Sequence, residues 1–125
     1  MPKTDKRTLN NKKLELVLES IDDKKGNDTL VIDLRKFDNT IADYFVITDA
    51  TTNVQVRAIA DNVQKKLSKT LKTKAFGVEG ESAAEWILLD YGDIIVHVFQ
   101  RPVREYYDIE SLWEDAETIK PDEHE

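Results

Sequence analysis

Residues 83–99 read AAEWILLDYGDIIVHVF, two apolar runs separated by a short polar break. Residues 86–89 and 94–99 are runs of β-branched, aliphatic and aromatic side chains, which suit a pleated, half-buried surface. Between them stand Asp90, Tyr91, Gly92 and Asp93, with turn formers at three of the four places. The pattern predicts a β-hairpin with a four-residue connection. Setting Leu89 opposite Ile94 puts Ile87 opposite Val96 and Trp86 opposite His97, and cross-strand partners share a face. One face then carries Ile87, Leu89, Ile94, Val96 and Val98 and reads as core. The other carries Trp86, Leu88, Ile95, His97 and Phe99, with Asp90 at its end. That mixed aromatic face reads either as more core or as a docking surface. A slip of one residue would exchange the two faces.

Upstream of the hairpin, residues 74–80 hold Gly77 and Gly80 and read as a brief edge strand. Residues 52–71 form a helix with Val56, Ile59, Ala60, Val63 and Leu67 in one apolar stripe. Thr52 followed by Gln55 fits a capping box, in which each side chain satisfies an orphan backbone N–H. Residues 29–34 (TLVIDL) and 43–48 (DYFVIT) read as strands, paired antiparallel because the polar link between them is short. Leu14, Val17, Leu18 and Ile21 mark an amphipathic helix over residues 11–24, and Gly26 reads as its left-handed stop. Downstream, Pro102 favours a helix start, with a helical turn to Tyr107 and a second short helical segment over 108–116.

The expected architecture is α/β in the broad sense, of α+β type: a single domain whose mixed sheet has helices packed mainly on one face. The other sheet face is left for a partner. Residues 1–10 read as a flexible basic N-terminus, 11–116 as the folded domain and 117–125 as an acidic disordered tail.

Composition narrows the function. The 125 residues suffice for one core without staples, and the absence of cysteine excludes disulfides and thiolate metal sites. A reducing, cytoplasmic location fits. No apolar run approaches the ~20 residues of a membrane span. Residues 1–13 are basic without a hydrophobic segment, so no secretory signal is expected. A net charge of −7 argues against broad nucleic-acid binding. Charge is uneven, however: Arg57, Lys65, Lys66, Lys69, Lys72 and Lys74 cluster against Asp61 alone, and the bland reading of that cluster is a solvated helix face.

Enzyme motifs are missing. With Gly26, Gly77, Gly80 and Gly92 as the only glycines, no phosphate-cradling loop can be assembled. His97 and His124 do not make a metal cluster, and a lone mid-strand His97 reads as a packed, hydrogen-bonded residue. Asp90 and Asp93 are three apart across a turn and read as turn chemistry rather than an acid–base pair. Asp33 and Asp43 each stand alone at strand ends. No cofactor or metal is expected. Trp86 is the binding candidate, with core burial as its alternative. Tyr91, at the turn tip, is expected to be exposed. Trp113 and Tyr107 are expected to pack the terminal helix on the sheet, Tyr107 with a rim contact.

These residues resemble a known family. DYFVI at 43–47, QV at 55–56, AIAD at 58–61, GVEGE at 77–81, WILLDYGD at 86–93, HVF at 97–99, and Arg104, Tyr107, Leu112 and Trp113 are together similar to the ribosomal silencing factor (Iojap-like) family. Several spaced blocks in order, across roughly residues 11–116, make the likeness specific.

The resemblance implies a nucleotidyltransferase-like fold without catalysis. It agrees that the Gly-Ser pair opening the metal site of active enzymes of that fold is absent here. It implies binding to the fourteenth protein of the large ribosomal subunit, steric exclusion of the small subunit, and reduced translation when nutrients are scarce. It further implies a homodimer; apart from the resemblance, the lysine-rich helix face is expected to offer a peripheral, secondary contact to ribosomal RNA. Trp86, Tyr91 and Tyr107 match docking positions, with Tyr91 acting by size, since some members carry an aliphatic residue there. Leu88, Asp90 and His97 complete the expected partner-binding face. One departure is Asp49-Ala50, where members often have a small hydroxyl residue and glycine; it changes the loop entering the second helix. The alternatives are a nucleotidyltransferase-like enzyme and an RNA-binding module.

Overall fold

The structure, a computed structural model, describes residues 11–38 and 40–121. In chain order the elements are α1 (Lys12–Asp23), β1 (Asn27–Asp33), β2 (Tyr44–Ala50), α2 (Asn53–Leu71), β3 (Gly77–Glu79), β4 (Trp86–Asp90), β5 (Ile94–Gln100), α3 (Arg101–Tyr107), a 3-10 segment (Ile109–Trp113) and β6 (Glu117–Ile119).

The strands form one six-stranded sheet in the order β3-β4-β5-β2-β1-β6. β2 and β5 run parallel at its centre, and the other neighbours are antiparallel, so the sheet is mixed as expected. The central strands are buried on both faces. On one face α1 and α2 cover Val46, Ile87, Leu89, Ile94, Val96 and Val98 with Leu14, Val17, Ile21, Val56, Ile59, Val63 and Leu67. On the other, Ile32, Phe45, Ile47, Ile95 and Phe99 are covered in part by Val103, Ile109 and Trp113. The second face is therefore not bare, although Trp86 and Leu88 of β4 stay half-buried on it.

Local chemistry explains the joints. Asn11 caps α1 by accepting the Leu14 N–H at 3.0 Å. The left-handed residue after α1 is Lys25, at φ 61°, not Gly26. Gly26 is needed for close approach instead: a Cβ there would lie 2.5 Å from Ile21 Cγ2 and 2.6 Å from Thr48 Oγ1. Thr52 caps α2 through the Gln55 N–H, but the box stays half-closed. The Gln55 amide donates to the Lys24 and Lys25 carbonyls at 3.2 and 3.4 Å, tying the start of α2 to the end of α1.

The hairpin is tighter than expected. Leu89 pairs with Val96, Ile87 with Val98, Leu88 with His97 and Trp86 with Phe99. The register is shifted by two residues because Asp90 joins the strand opposite Ile95, and the Tyr91 N–H closes on the Ile94 carbonyl at 2.9 Å. Gly92, at φ 87°, makes the turn. A shift of two preserves side-chain parity, so both faces are as read.

The tail also departs from expectation. Glu117–Ile119 is not disordered but pairs with β1, Ile119 opposite Val31, and buries Ile119. The β1 edge would otherwise present unpaired backbone groups. Residues 1–10 and 122–125, read as a flexible start and the end of a disordered tail, lie outside the described residues.

Candidate functional site: an aromatic patch on the sheet

β4 alternates strictly: Ile87 and Leu89 are buried under the helices, whereas Trp86, Leu88 and Asp90 are half-buried on the opposite face. The Trp86 ring stacks on Phe99 with centroids 4.8 Å apart and meets Tyr107 of α3 at 5.0 Å. Its indole Nε1–H donates to His97 Nδ1 at 3.2 Å. Tyr106 stands edge-on to Tyr107, centroids 5.0 Å apart, and is 81% exposed. Trp86, Leu88, Tyr107 and Tyr106 thus form an apolar surface at the junction of β4 and α3. Trp113 packs edge-on against Phe45 and Phe37, so it seals the sheet rather than extending the patch.

The expected binding residues divide. Trp86, Leu88 and Tyr107 are brought together on the surface. Asp90 lies on the same face, where its carboxylate accepts the Gly92 N–H at 2.8 Å, which is turn chemistry. Tyr91 is corrected: it is buried, in the core beneath the helices, on the face opposite Trp86. It continues the alternation of Ile87 and Leu89, and burial pushes its phenol up to about 12. His97 is also corrected as a direct contact. It is 4% exposed, and burial pulls its imidazole down to about 4, so it is neutral at neutral pH.

Tyr106 was not anticipated. The signal was available: Tyr106 and Tyr107 stand three and four places after Val103, and i+3 and i+4 share a helix face. A seven-residue helix cannot bury both rings.

Behind α3 lies a cleft of about 440 Å³, bordered by Asp28, Asp49, Arg101, Arg104 and Glu110. Arg104 donates to Asp49 Oδ2 and to the Asp28 carbonyl, each at 2.8 Å, and to Glu110 at 3.0 Å. Arg101 holds the other Asp49 oxygen at 3.2 Å and reaches the Asp28 carboxylate. The guanidinium groups are committed to the chain's own acids, so the arrangement is a clasp fastening α3 to β1 and β2. A bulge in β1, with Asp28 at φ 47°, aims Asp28 into it. Asp49, the departure noted in the sequence, is its buried acid. Among the described residues no group of three or more His, Cys, Asp or Glu could hold a metal ion. Among them, too, no helix is long and apolar enough to cross a membrane.

Comparison with known proteins agrees with this architecture. A family model described as "Ribosomal silencing factor during starvation" matches residues 7–125. A "Ribosomal silencing factor RsfS" from Halalkalibacterium halodurans is 36% identical over 111 residues, covering 89% of this chain and 93% of the relative. Another of that name from Chromobacterium violaceum is 39% identical over 99 residues, covering 79% and 80%. A crystal structure of a Chromobacterium violaceum protein superposes with a TM-score of 0.77 at 38% identity, covering 82% of this chain and 83% of that one.

Proposed function

Because the chain belongs to the ribosomal silencing factor family, we propose that it binds the large ribosomal subunit through that subunit's fourteenth protein and sterically keeps the small subunit away. The outcome is repression of translation under nutrient limitation, in the cytoplasm, with no bond made or broken. The family names mark a regulator that acts on the ribosome.

One observation carries the docking assignment. Phe45 and Phe99 are buried in the sheet and Phe76 stands exposed near Gly92, whereas Trp86, Tyr107 and Tyr106 form a contiguous aromatic patch open to a partner. Aromatic side chains in desolvated pockets dominate interface energetics, and truncating one costs ~2 kcal/mol or more. Pairing of two copies of this chain belongs to the same reading.

A peripheral contact to ribosomal RNA fits the helix side. Lys65, Lys69 and Lys72 are exposed on and just after α2, and no carboxylate among the described residues pairs with them. Lys66, by contrast, is held by Asp23. Phosphate contacts there would add a salt-dependent component to binding.

The test is co-sedimentation of the purified chain with large subunits. Wild type is expected to pellet with them, and Trp86→Ala, folded by circular dichroism, to weaken binding ~30-fold. Undiminished binding by that variant would remove the patch as the anchor. Robust binding and turnover of nucleotide with Mg²⁺ would favour an enzyme instead.

A further inference from the structure

His97 occupies a costly position. It lies mid-strand between Leu88 of β4 and Ile47 of β2. The Phe45 ring packs against it at 4.7 Å, and the Phe99 ring lies parallel at 6.2 Å. Because Nδ1 accepts the Trp86 indole N–H, the proton of the neutral imidazole resides on Nε2. Nε2 is buried and finds no hydrogen-bond partner. A phenylalanine would fill the space with no polar atom to strand. What the histidine alone supplies is the lone pair at Nδ1.

We propose that His97 is a positioning residue for docking: it takes up the indole N–H of Trp86 and fixes that ring, flat on Phe99 and against Tyr107, in its binding pose. The inference rests on the reading of Trp86 as the anchor. Its consequence concerns the partner's chemistry. The indole's one donor is already satisfied within the chain, so the socket that receives Trp86 is apolar and supplies no acceptor to it. Holding the ring before contact also removes an ordering cost from association. His97 itself touches no partner.

The experiment uses the full chain and purified large subunits. His97→Asn keeps an acceptor near the Nδ1 position, whereas His97→Phe fills the volume without one. Each is made in the wild-type and Trp86→Phe backgrounds. Binding is measured by co-sedimentation, and the Trp86 indole N–H by its nitrogen-15 resonance and exchange with water. His97→Phe is expected to weaken binding roughly 10-fold and to expose the indole N–H to fast exchange, whereas His97→Asn changes binding less than about threefold. In the Trp86→Phe background, His97→Phe has no further effect. If His97→Phe does not fold, His97→Gln takes its place, because its amide reaches the Nε2 rather than the Nδ1 position.

Equal weakening in both backgrounds, or wild-type binding by His97→Phe while Trp86→Ala binds poorly, overturns the positioning role and leaves the docking site standing. Wild-type binding by Trp86→Ala overturns the docking site itself, and the positioning role with it.

Discussion

Arg104 Nη1 lies 2.8 Å from Asp49 Oδ2, and both side chains are almost out of water, at 10% and 2% exposure. The pair is 55 residues apart in sequence and joins α3 to the middle of the sheet. It sets where α3 sits, and α3 carries Tyr106 and Tyr107. A buried pair broken on one side leaves an uncompensated charge, which costs about 3–5 kcal/mol. Arg101 still holds the other Asp49 oxygen after Arg104→Ala, so that variant is expected to lower unfolding free energy by about 3 kcal/mol, the lower end of that range, read from urea denaturation. Asp49→Ser should cost less, because Arg104 keeps Glu110 and the Asp28 carbonyl.

Tyr91 gives a prediction of opposite sign. Its hydroxyl is buried without a hydrogen-bond partner. Removing an unsatisfied buried group relieves its desolvation cost, about 1 kcal/mol. Tyr91→Phe should match or exceed wild-type stability by up to that amount and bind large subunits normally. Tyr91→Ala should lose about 3–5 kcal/mol through the cavity it leaves. Thermal and urea unfolding of the two variants, beside co-sedimentation, separates a packing role from a contact role.

His97 makes stability fall with acid. Its imidazole titrates near 4 in the folded chain against an ordinary 6.5, because burial disfavours the cation. The unfolded state then binds the proton more readily, so stability is full above pH 6.5 and is lost as pH falls toward 4. The loss attributable to this group is about 3 kcal/mol. Urea midpoints measured from pH 7 to pH 4 should decline more steeply for wild type than for His97→Asn. Equal slopes would show that His97 does not carry the effect.

The two faces of the central hairpin were legible because side-chain parity survives an even shift of register. The register itself was not, since it depended on Asp90 extending the strand and on a turn closed by Tyr91 and Ile94. Tyr91 shows the rule that turns are exposed yielding to alternation: it stands two places after Leu89 and faces the same core. His97 was placed on the Trp86 face, but its covering by Phe45 comes from β2, which no local pattern reveals. The Arg104–Asp49 clasp was invisible for the same reason. β6 is three residues long and set among acids, and only the open edge of β1 makes it a strand. The shared face of Trp86 and Leu88 was legible from strand alternation, and the contact of Tyr107 with the sheet from its place on the terminal helix.

In the proposed mechanism, the aromatic patch on this domain docks on the large subunit and obstructs the small one. The most direct measurement is subunit joining, followed by light scattering after large subunits are premixed with the chain. Wild type should suppress joining in proportion to its occupancy, and a folded Trp86→Ala/Tyr107→Ala double variant should leave joining near its rate without added protein. A double variant that suppresses joining as well as wild type, or a wild type that occupies large subunits while joining proceeds unhindered, would contradict it.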